Sequence, residues 1–229
     1  MDLNGPFAIP PWFDFTATFV WALTGALIAA RRRYDITGIV SIALVSAAGG
    51  GLLRDGIFLQ TKPPLFLQSW VYMALVLLAA SLTNLAGIRI QQIRHFERTI
   101  AVIDALGIGA FAVVGVQLSL LAGFTIPAAA FVGVVNAVGG GVLRDILVRQ
   151  DPMIFLPGPP VALAALASCI IYLVLIEFTS IGEILAGILA IAGEFALRTA
   201  SLRYGWSTWS GGRGFGRGRV LGRGLCGQA

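Results

Sequence analysis

Repeated apolar runs limit this chain more than any other feature, because a helix needs about 20 apolar residues to cross a bilayer. Such runs recur along the sequence, and charged residues fall mostly in the short breaks between them. Only 12% of the 229 residues are charged and the mean hydropathy is +0.87, against about 25% charged residues in a soluble domain. The sequence therefore predicts an all-α integral membrane protein.

The apolar runs and their breaks predict about seven transmembrane helices. The predicted spans are 12–30, 36–58, 67–88, 99–121, 126–148, 159–177 and 181–198. Asp35 and Thr125 stand where the N-caps of the second and fifth helices are expected, and Pro127 suits the first turn after Thr125. The first run follows no basic segment of the kind that opens a secretory signal peptide, so we expect it to be a permanent helix.

Positive charge predicts the orientation of these helices, because cytoplasmic loops are enriched in Lys and Arg. The arginines that follow the first, third, fifth and seventh predicted helices are Arg31, Arg32, Arg33, Arg89, Arg94, Arg98, Arg149, Arg198 and Arg203. The opposite breaks hold only Lys62 and an uncharged turn near Gly123. We therefore expect the N-terminus outside and the C-terminus in the cytoplasm.

An internal repeat divides the chain. The motif GGGLLRD at 49–55 recurs 90 residues later as GGGVLRD at 139–145, and the same spacing pairs Ser46 with Asn136. A unit of three helices has an odd number of spans, so its second copy enters the membrane from the other face, as in inverted-repeat transporters. The predicted units are 1–98 for the first repeat, 99–178 for the second, 179–203 for the seventh helix and 204–229 for the tail.

The two glycine triplets are the first candidate functional site. They consist of Gly49, Gly50 and Gly51 in the first copy and Gly139, Gly140 and Gly141 in the second. Each glycine costs about 0.8–1 kcal/mol relative to alanine inside a helix, so we expect both helices to kink or unwind there and to face a water-filled path. The alternative is that the glycines only permit close helix packing. Ser46 and Asn136 each precede a triplet by three residues and are candidates to line the same path.

The charged residues after each triplet, Arg54 with Asp55 and Arg144 with Asp145, are the second candidate. A charge within a membrane span is a functional candidate by default, and side chains adjacent in sequence diverge around a helix. We therefore expect each arginine to pair with a group of the other repeat. The alternative is that each arginine only extends to the membrane interface.

Other acidic residues in the predicted helices suit structural positions. Asp14 and Asp104 are expected near the positive ends of matched helices. Glu194 and Arg198 are four residues apart, which favours a surface ion pair.

Neither catalytic nor metal-binding patterns are visible in the sequence. Cys169 and Cys226 are the two cysteines, and His95 has no second ligand near it in sequence. The sequence shows no phosphate loop, dinucleotide motif or nucleophile with a matching base, so we expect no enzyme activity, no metal and no cofactor.

The net charge of +5 depends on a Gly/Arg-rich tail. Without Arg213, Arg217, Arg219 and Arg223 the net charge is +1. Low complexity predicts that the tail from Gly211 is disordered. We expect it to meet anionic membrane lipids, and no nucleic acid partner is expected.

Two stretches carry a family resemblance. GALIAARRRYDITGIVSIALVSAAGGGLLRDGIFLQTKPPLFL and DALGIGAFAVVGVQLSLLAGFTIPAAAFVGVVNAVGGGVLRDILVRQDPMIFL resemble the two repeats of the bacterial trimeric intracellular cation (TRIC) channels. The resemblance covers about residues 12–198. It implies a homotrimer in the inner (plasma) membrane in which each subunit conducts monovalent cations, chiefly potassium, between the two glycine-kinked helices, with Arg54, Asp55, Arg144 and Asp145 flanking the path.

The sequence differs from this family in two respects, and one alternative function stays open. Gln117 is followed by Leu118, where bacterial relatives often carry a lysine, and the Lys-Glu-Val segment by which animal members bind phosphoinositide has no equivalent. The alternative function is a secondary transporter of a small solute such as glycine, since broken helices in inverted repeats are also typical of such transporters.

Overall fold

The computed structural model describes residues 11–60, 63–86 and 95–206, which form helices joined by turns. The helices are α1 (Pro11–Arg31), α2 (Ile36–Leu53), α3 (Leu65–Gln68), α4 (Trp70–Ala86), α5 (Phe96–Leu121), α6 (Ile126–Leu147), α7 (Val161–Phe178) and α8 (Glu183–Tyr204). A π-helical turn, Arg54–Leu59, continues α2, and a 3-10 turn, Met153–Phe155, precedes α7.

Five helical segments in the described ranges are long and apolar enough to cross a membrane. They are Ile36–Leu59, Arg98–Leu121, Ile126–Leu147, Val161–Phe178 and Glu183–Tyr204. α4 is also apolar but has 17 residues. The chain is therefore a multi-pass membrane protein, and the all-helical prediction is confirmed for the described residues.

Several predicted helix ends differ from the observed ones. The span predicted from residue 67 is divided into α3 and α4, because Ser69 between them has an extended backbone (φ −138°, ψ 129°). α8 continues to Tyr204, six residues past the predicted end, and stops where Gly205 adopts a left-handed conformation (φ 66°). The predictions for Lys62, Arg89 and Arg94 and for the tail from 207 onward fall outside the described residues.

The two predicted N-caps differ in their chemistry. The Asp35 carboxylate accepts a hydrogen bond from the Gly38 backbone N–H at 2.8 Å, as predicted. Thr125 occupies the N-cap position of α6, but its side chain makes no capping hydrogen bond. α6 instead begins with Pro127 in its first turn, where the missing N–H of proline has no consequence.

The triplets were predicted to kink or unwind their helices, and the unwinding is wrong, because α2 and α6 remain helical through them. The two helices cross there in an antiparallel arrangement and almost touch. A Cβ built on Gly49 would lie 3.1 Å from the Gly140 Cα, and one on Gly139 would lie 3.2 Å from the Gly50 Cα. The glycines thus allow two backbones to meet, which is the packing alternative.

α1 and α5 pack against this crossing in equivalent ways. A Cβ on Gly25 of α1 would lie 2.6 Å from the Ser46 Cβ, and one on Gly115 of α5 would lie 2.9 Å from the Asn136 Cβ. α1 and α5 also contact each other, whereas α4 packs outside α1 and α8 lies against α5 and α7. We call α1, α2, α5 and α6 the four-helix core.

The crossing predicts that Gly140→Ala destabilises the protein. A Cβ there would overlap the Ser46 carbonyl oxygen, and backbone cannot move aside cheaply, so we expect a loss of about 1–3 kcal/mol. Thermal unfolding of the purified variant and wild type in detergent measures this loss of stability.

Gly51→Ala is the matched control, because the nearest atom to its added Cβ is an Arg54 nitrogen at 3.7 Å. It should be neutral or slightly stabilising, since alanine favours a helix. Equal melting temperatures for the two variants would contradict the packing role of the crossing.

Candidate functional site

Each arginine of the repeated motif forms an ion pair with the aspartate that follows it. Arg54 donates from Nε to Asp55 Oδ1 at 2.6 Å and from Nη2 to Oδ2 at 2.9 Å. Arg144 donates from Nε to Asp145 Oδ1 at 2.9 Å. The prediction that these neighbours diverge is wrong, because the long arginine side chain folds back and presents its planar donors to the carboxylate.

The predicted pairing between the repeats is also present, and it involves neutral groups. Arg54 Nη1 lies 3.4 Å from Asn136 Oδ1 on α6, and Arg144 Nη1 lies 3.3 Å from Thr24 Oγ1 on α1. Asn136 also donates from Nδ2 to the Phe111 carbonyl oxygen at 2.6 Å. We call Arg54, Asp55 and Asn136 the first charged cluster.

Asp104 gives Arg144 a second carboxylate, which the sequence did not reveal. Nη1 and Nη2 of Arg144 lie 3.2 Å from the Asp104 oxygens. Because α5 begins at Phe96, Asp104 lies beyond its first turn, so the predicted helix-end position is wrong. We call Thr24, Asp104, Arg144 and Asp145 the second charged cluster.

Asp14, the counterpart of Asp104, behaves differently. It does lie in the first turn of α1, as predicted. Its carboxylate accepts a hydrogen bond from the Tyr72 hydroxyl of α4. The equivalent acids of the two repeats thus serve different partners.

Asp55 also holds the chain segment that follows it. Asp55 Oδ2 accepts a hydrogen bond from the Leu65 backbone N–H at 2.9 Å, which anchors the start of α3. Asp145 lines the same cavity as Met153, the first residue of the 3-10 turn. Asp55 therefore joins an arginine inside the four-helix core to a turn at the end of the core.

The two arginines are enclosed by protein. Arg54 is 2% exposed and Arg144 is 3% exposed, so extension to the membrane interface does not describe either of them. Breaking such a buried pair by removing one partner costs about 3–5 kcal/mol, because the remaining charge is left without compensation. Each arginine therefore depends on keeping at least one carboxylate partner.

α8 brings two further charges into the interior, and the predicted surface pair is wrong. Glu194 is fully buried and Arg198 is 1% exposed. Both Glu194 oxygens and the Nε and Nη1 atoms of Arg198 have no hydrogen-bond partner among the described residues. Arg198 lines a cavity of about 30 Å³ together with Asp104, Arg144 and Asp145. α8 thus adds charge beside the second charged cluster alone.

Ser46, the remaining candidate, is buried in the crossing. It is 1% exposed, and its hydroxyl has no hydrogen-bond partner among the described residues. A serine in a membrane helix usually bonds the carbonyl oxygen four residues before it, and Ser46 does not make this bond. No group of three His, Cys, Asp or Glu side chains in the described ranges is arranged to hold a metal ion.

One known family matches two segments of the chain. A family described as "Glycine transporter" matches residues 11–87 and again residues 101–177, together more than half of the chain. The chain belongs to this family.

Its relatives include membrane proteins of several bacteria. A UPF0126 membrane protein of Deinococcus radiodurans is 35% identical over 141 residues, which are 62% of this chain and 64% of that protein. The UPF0126 inner membrane protein YadS of Escherichia coli is 34% identical over 145 residues, which are 62% of this chain and 68% of that protein.

Solved structures of TRIC channels share the fold. One, from work on conductance through TRIC cation channels, has a TM-score of 0.77 at 26% identity and covers 91% of this chain and 100% of that one. The TRIC trimeric intracellular cation channel orthologue from Rhodobacter sphaeroides has a TM-score of 0.76 at 28% identity, covering 84% of this chain and 96% of that one. The chain therefore resembles TRIC channels, as predicted, and the structures that it resembles are channels.

In this TRIC-like fold, Arg144→Met should be strongly destabilising. The substitution leaves Asp104 and Asp145 buried without their cation, and we expect a loss of about 3–5 kcal/mol. The measurement is the melting temperature and the yield of monodisperse protein.

Arg203→Met is the matched control, since Arg203 is exposed in the last turn of α8. We expect its free energy of unfolding to lie within about 0.5 kcal/mol of the wild-type value. If Arg144→Met melted like this control, the second charged cluster would contribute nothing to stability.

Proposed function

We propose that the chain is a potassium-permeable channel for monovalent cations, with one pathway in each subunit. The observation that supports it is the set of polar and charged side chains buried inside the four-helix core, from Arg54 and Asn136 to Arg144 and Asp104. Intramembrane charges that face the interior of a helix bundle are typical of ion pathways. The fold that the chain shares with TRIC channels supports the same function.

The pathway passes beside the glycine crossing. The backbones of α2 and α6 meet at Gly49–Gly140 and Gly50–Gly139 and leave no room between them. Arg54 and Arg144 lie four or five residues beyond this contact on opposite sides, which is about 6–8 Å at 1.5 Å per residue. The pathway therefore runs along the α1 and α5 side of the crossing, where Ser46 and Asn136 lie.

Charge in the second charged cluster favours cations. Asp104 and Asp145 are both within 3.2 Å of the one guanidinium of Arg144, so these three groups carry one excess negative charge when ionised. Arg198 lines the same cavity, and its charge is opposed by that of Glu194, four residues earlier on α8. Fixed charge in a low-dielectric passage concentrates counter-ions, which raises the local concentration of potassium over chloride.

The proposed channel is a homotrimer in the inner (plasma) membrane, built from two inverted three-helix repeats and a seventh helix. The match of one family to two successive segments supports the repeat. The Rhodobacter sphaeroides channel that shares this fold is trimeric, which supports the oligomer, and the inner membrane location of YadS supports the compartment. No enzyme activity, metal or nucleic acid partner is part of this proposal, and lipids contact the outside.

The arginine distribution predicts that the turn after α1 is cytoplasmic and the turn before α6 is external. Arg32→Cys and Thr125→Cys, each at an exposed position and with Cys226 replaced by serine, test this in intact cells. A membrane-impermeant maleimide should label only Thr125→Cys. Labelling of both positions from outside would contradict the topology.

Neutralising one aspartate in each charged cluster should have different effects. In Asp145→Asn, Arg144 keeps Asp104, so we expect folded channels whose potassium over chloride permeability falls by about tenfold. In Asp55→Asn, Arg54 loses the one carboxylate it contacts among the described residues, so the main effect should be a lower yield. Reversal potentials under a potassium chloride gradient, together with protein yield, measure both.

Asp151→Asn is the control for this experiment, because Asp151 is exposed six residues after Asp145. It should keep both selectivity and yield. A normal reversal potential in folded Asp145→Asn channels would remove this aspartate from the selectivity mechanism.

The family description favours one second candidate, transport of glycine. A transporter saturates with its substrate, whereas a channel passes ions down their gradient. Glycine uptake into proteoliposomes that saturates with glycine concentration, without potassium current, would favour transport over conduction.

A further inference from the structure

An aromatic pair separates the two charged clusters. Trp21 of α1 and Phe111 of α5 stand 90 residues apart, at equivalent positions of the two repeats. Their ring centroids are 5.9 Å apart and the rings meet edge to face at 73°. The pair therefore lies where the two halves of the four-helix core face each other.

Polar contacts reach this pair from both sides. On one side the Phe111 carbonyl accepts a hydrogen bond from Asn136, which also contacts Arg54. On the other side the Arg144 guanidinium lies 5.8 Å from the centre of the Trp21 ring. Among the described residues, Arg144 of the second cluster thus contacts the Trp21 ring, and Asn136 of the first cluster contacts the backbone of Phe111.

Trp21 is tightly enclosed. It is 2% exposed, a Cβ on Gly140 or Gly141 would lie 3.1 Å from its ring, and a Cβ on Gly107 would overlap the indole nitrogen. A ring this large fits only because glycine occupies all three positions. Phe111, its counterpart, is the smaller ring and contacts neither Gly50 nor Gly51 closely. Trp21 therefore provides most of the blocking volume.

The indole N–H of Trp21 lacks a hydrogen-bond acceptor among the described residues in the observed position of the ring. The N–H is also buried, which is unfavourable for a polar group without a partner. Trp21 also lines the cavity of about 30 Å³ beside Asp104, Arg144 and Asp145, and a buried water needs only about 10–15 Å³ and polar partners. The cavity is large enough for a water but not for the whole indole, so a tilt of the ring toward it would give the N–H an acceptor and would loosen the contact with Phe111.

We propose that Trp21 is the gate of the cation pathway: packed against Phe111 it closes the apolar segment between the charged clusters, and displaced toward the cavity it opens that segment. The inference rests on the proposed channel function. Apolar constrictions stop ions because they exclude water, so a smaller side chain at this position lets water and cations through.

Potassium efflux from liposomes that contain the purified full chain tests the gate. Trp21→Ala should raise efflux several-fold over the wild type, and Trp21→Phe should give a smaller increase. Gly107→Ala should also raise efflux, because its methyl group displaces the indole without removing it. Trp70→Ala is the matched control, since Trp70 is 80% exposed, and it should match the wild type.

The outcomes separate the gate from the channel. If the wild type conducts potassium and folded Trp21→Ala shows no higher efflux, the gate is overturned and the channel function stands. Absence of potassium flux from the wild type and from every variant would overturn the proposed function and the gate with it. If Trp21→Ala yields no folded protein, Trp21→Phe and Gly107→Ala decide, and wild-type efflux from both would equally overturn the gate.

Discussion

The close antiparallel contact of α2 and α6 is the constraint on which the other features depend. Glycine is unfavourable inside a helix by about 0.8–1 kcal/mol per residue, but in lipid, helices associate through close packing. A single added methyl group at Gly50 or Gly140 would overlap a carbonyl oxygen of the facing helix. This contact sets where Arg54 and Arg144 emerge and brings Asn136 within reach of Arg54. The proposed pathway exists beside the crossing because the crossing itself is closed.

The two halves of the core share a pattern but not their chemistry. Asp104 joins Arg144, whereas its counterpart Asp14 binds the hydroxyl of Tyr72. α8 buries Glu194 and Arg198, and Arg198 lines a cavity with the charged side chains of the second cluster. A pathway built this way has a more highly charged half and a less highly charged half, with a tryptophan and a phenylalanine between them. In the proposed channel, this asymmetry lets one half determine ion preference while the aromatic pair controls opening.

Buried charge links stability to function in this protein. The guanidinium groups of Arg54 and Arg144 are shielded from solvent and rely on nearby carboxylates and polar groups. Asp55 also holds the turn that follows its helix. Movement that opens the pathway must therefore preserve these pairs, and a turn of one aromatic ring achieves this. Substitutions at the clusters affect folding as well as conduction, so yield and flux have to be measured together.

Apolar runs and the GGGxLRD repeat were enough to predict an all-helical membrane chain, most helix positions and the involvement of both arginines, because these depend on local composition and on spacing along one helix. The repeat also singled out the triplets, but the unwinding predicted for them does not occur, since a glycine that weakens a helix and a glycine that admits a neighbouring backbone look the same in sequence. The Asp104–Arg144 pair, the burial of Glu194 and Arg198, and the meeting of Trp21 with Phe111 arise between helices distant in sequence. Such contacts depend on how the helices rotate and cross, and only the packed structure determines that.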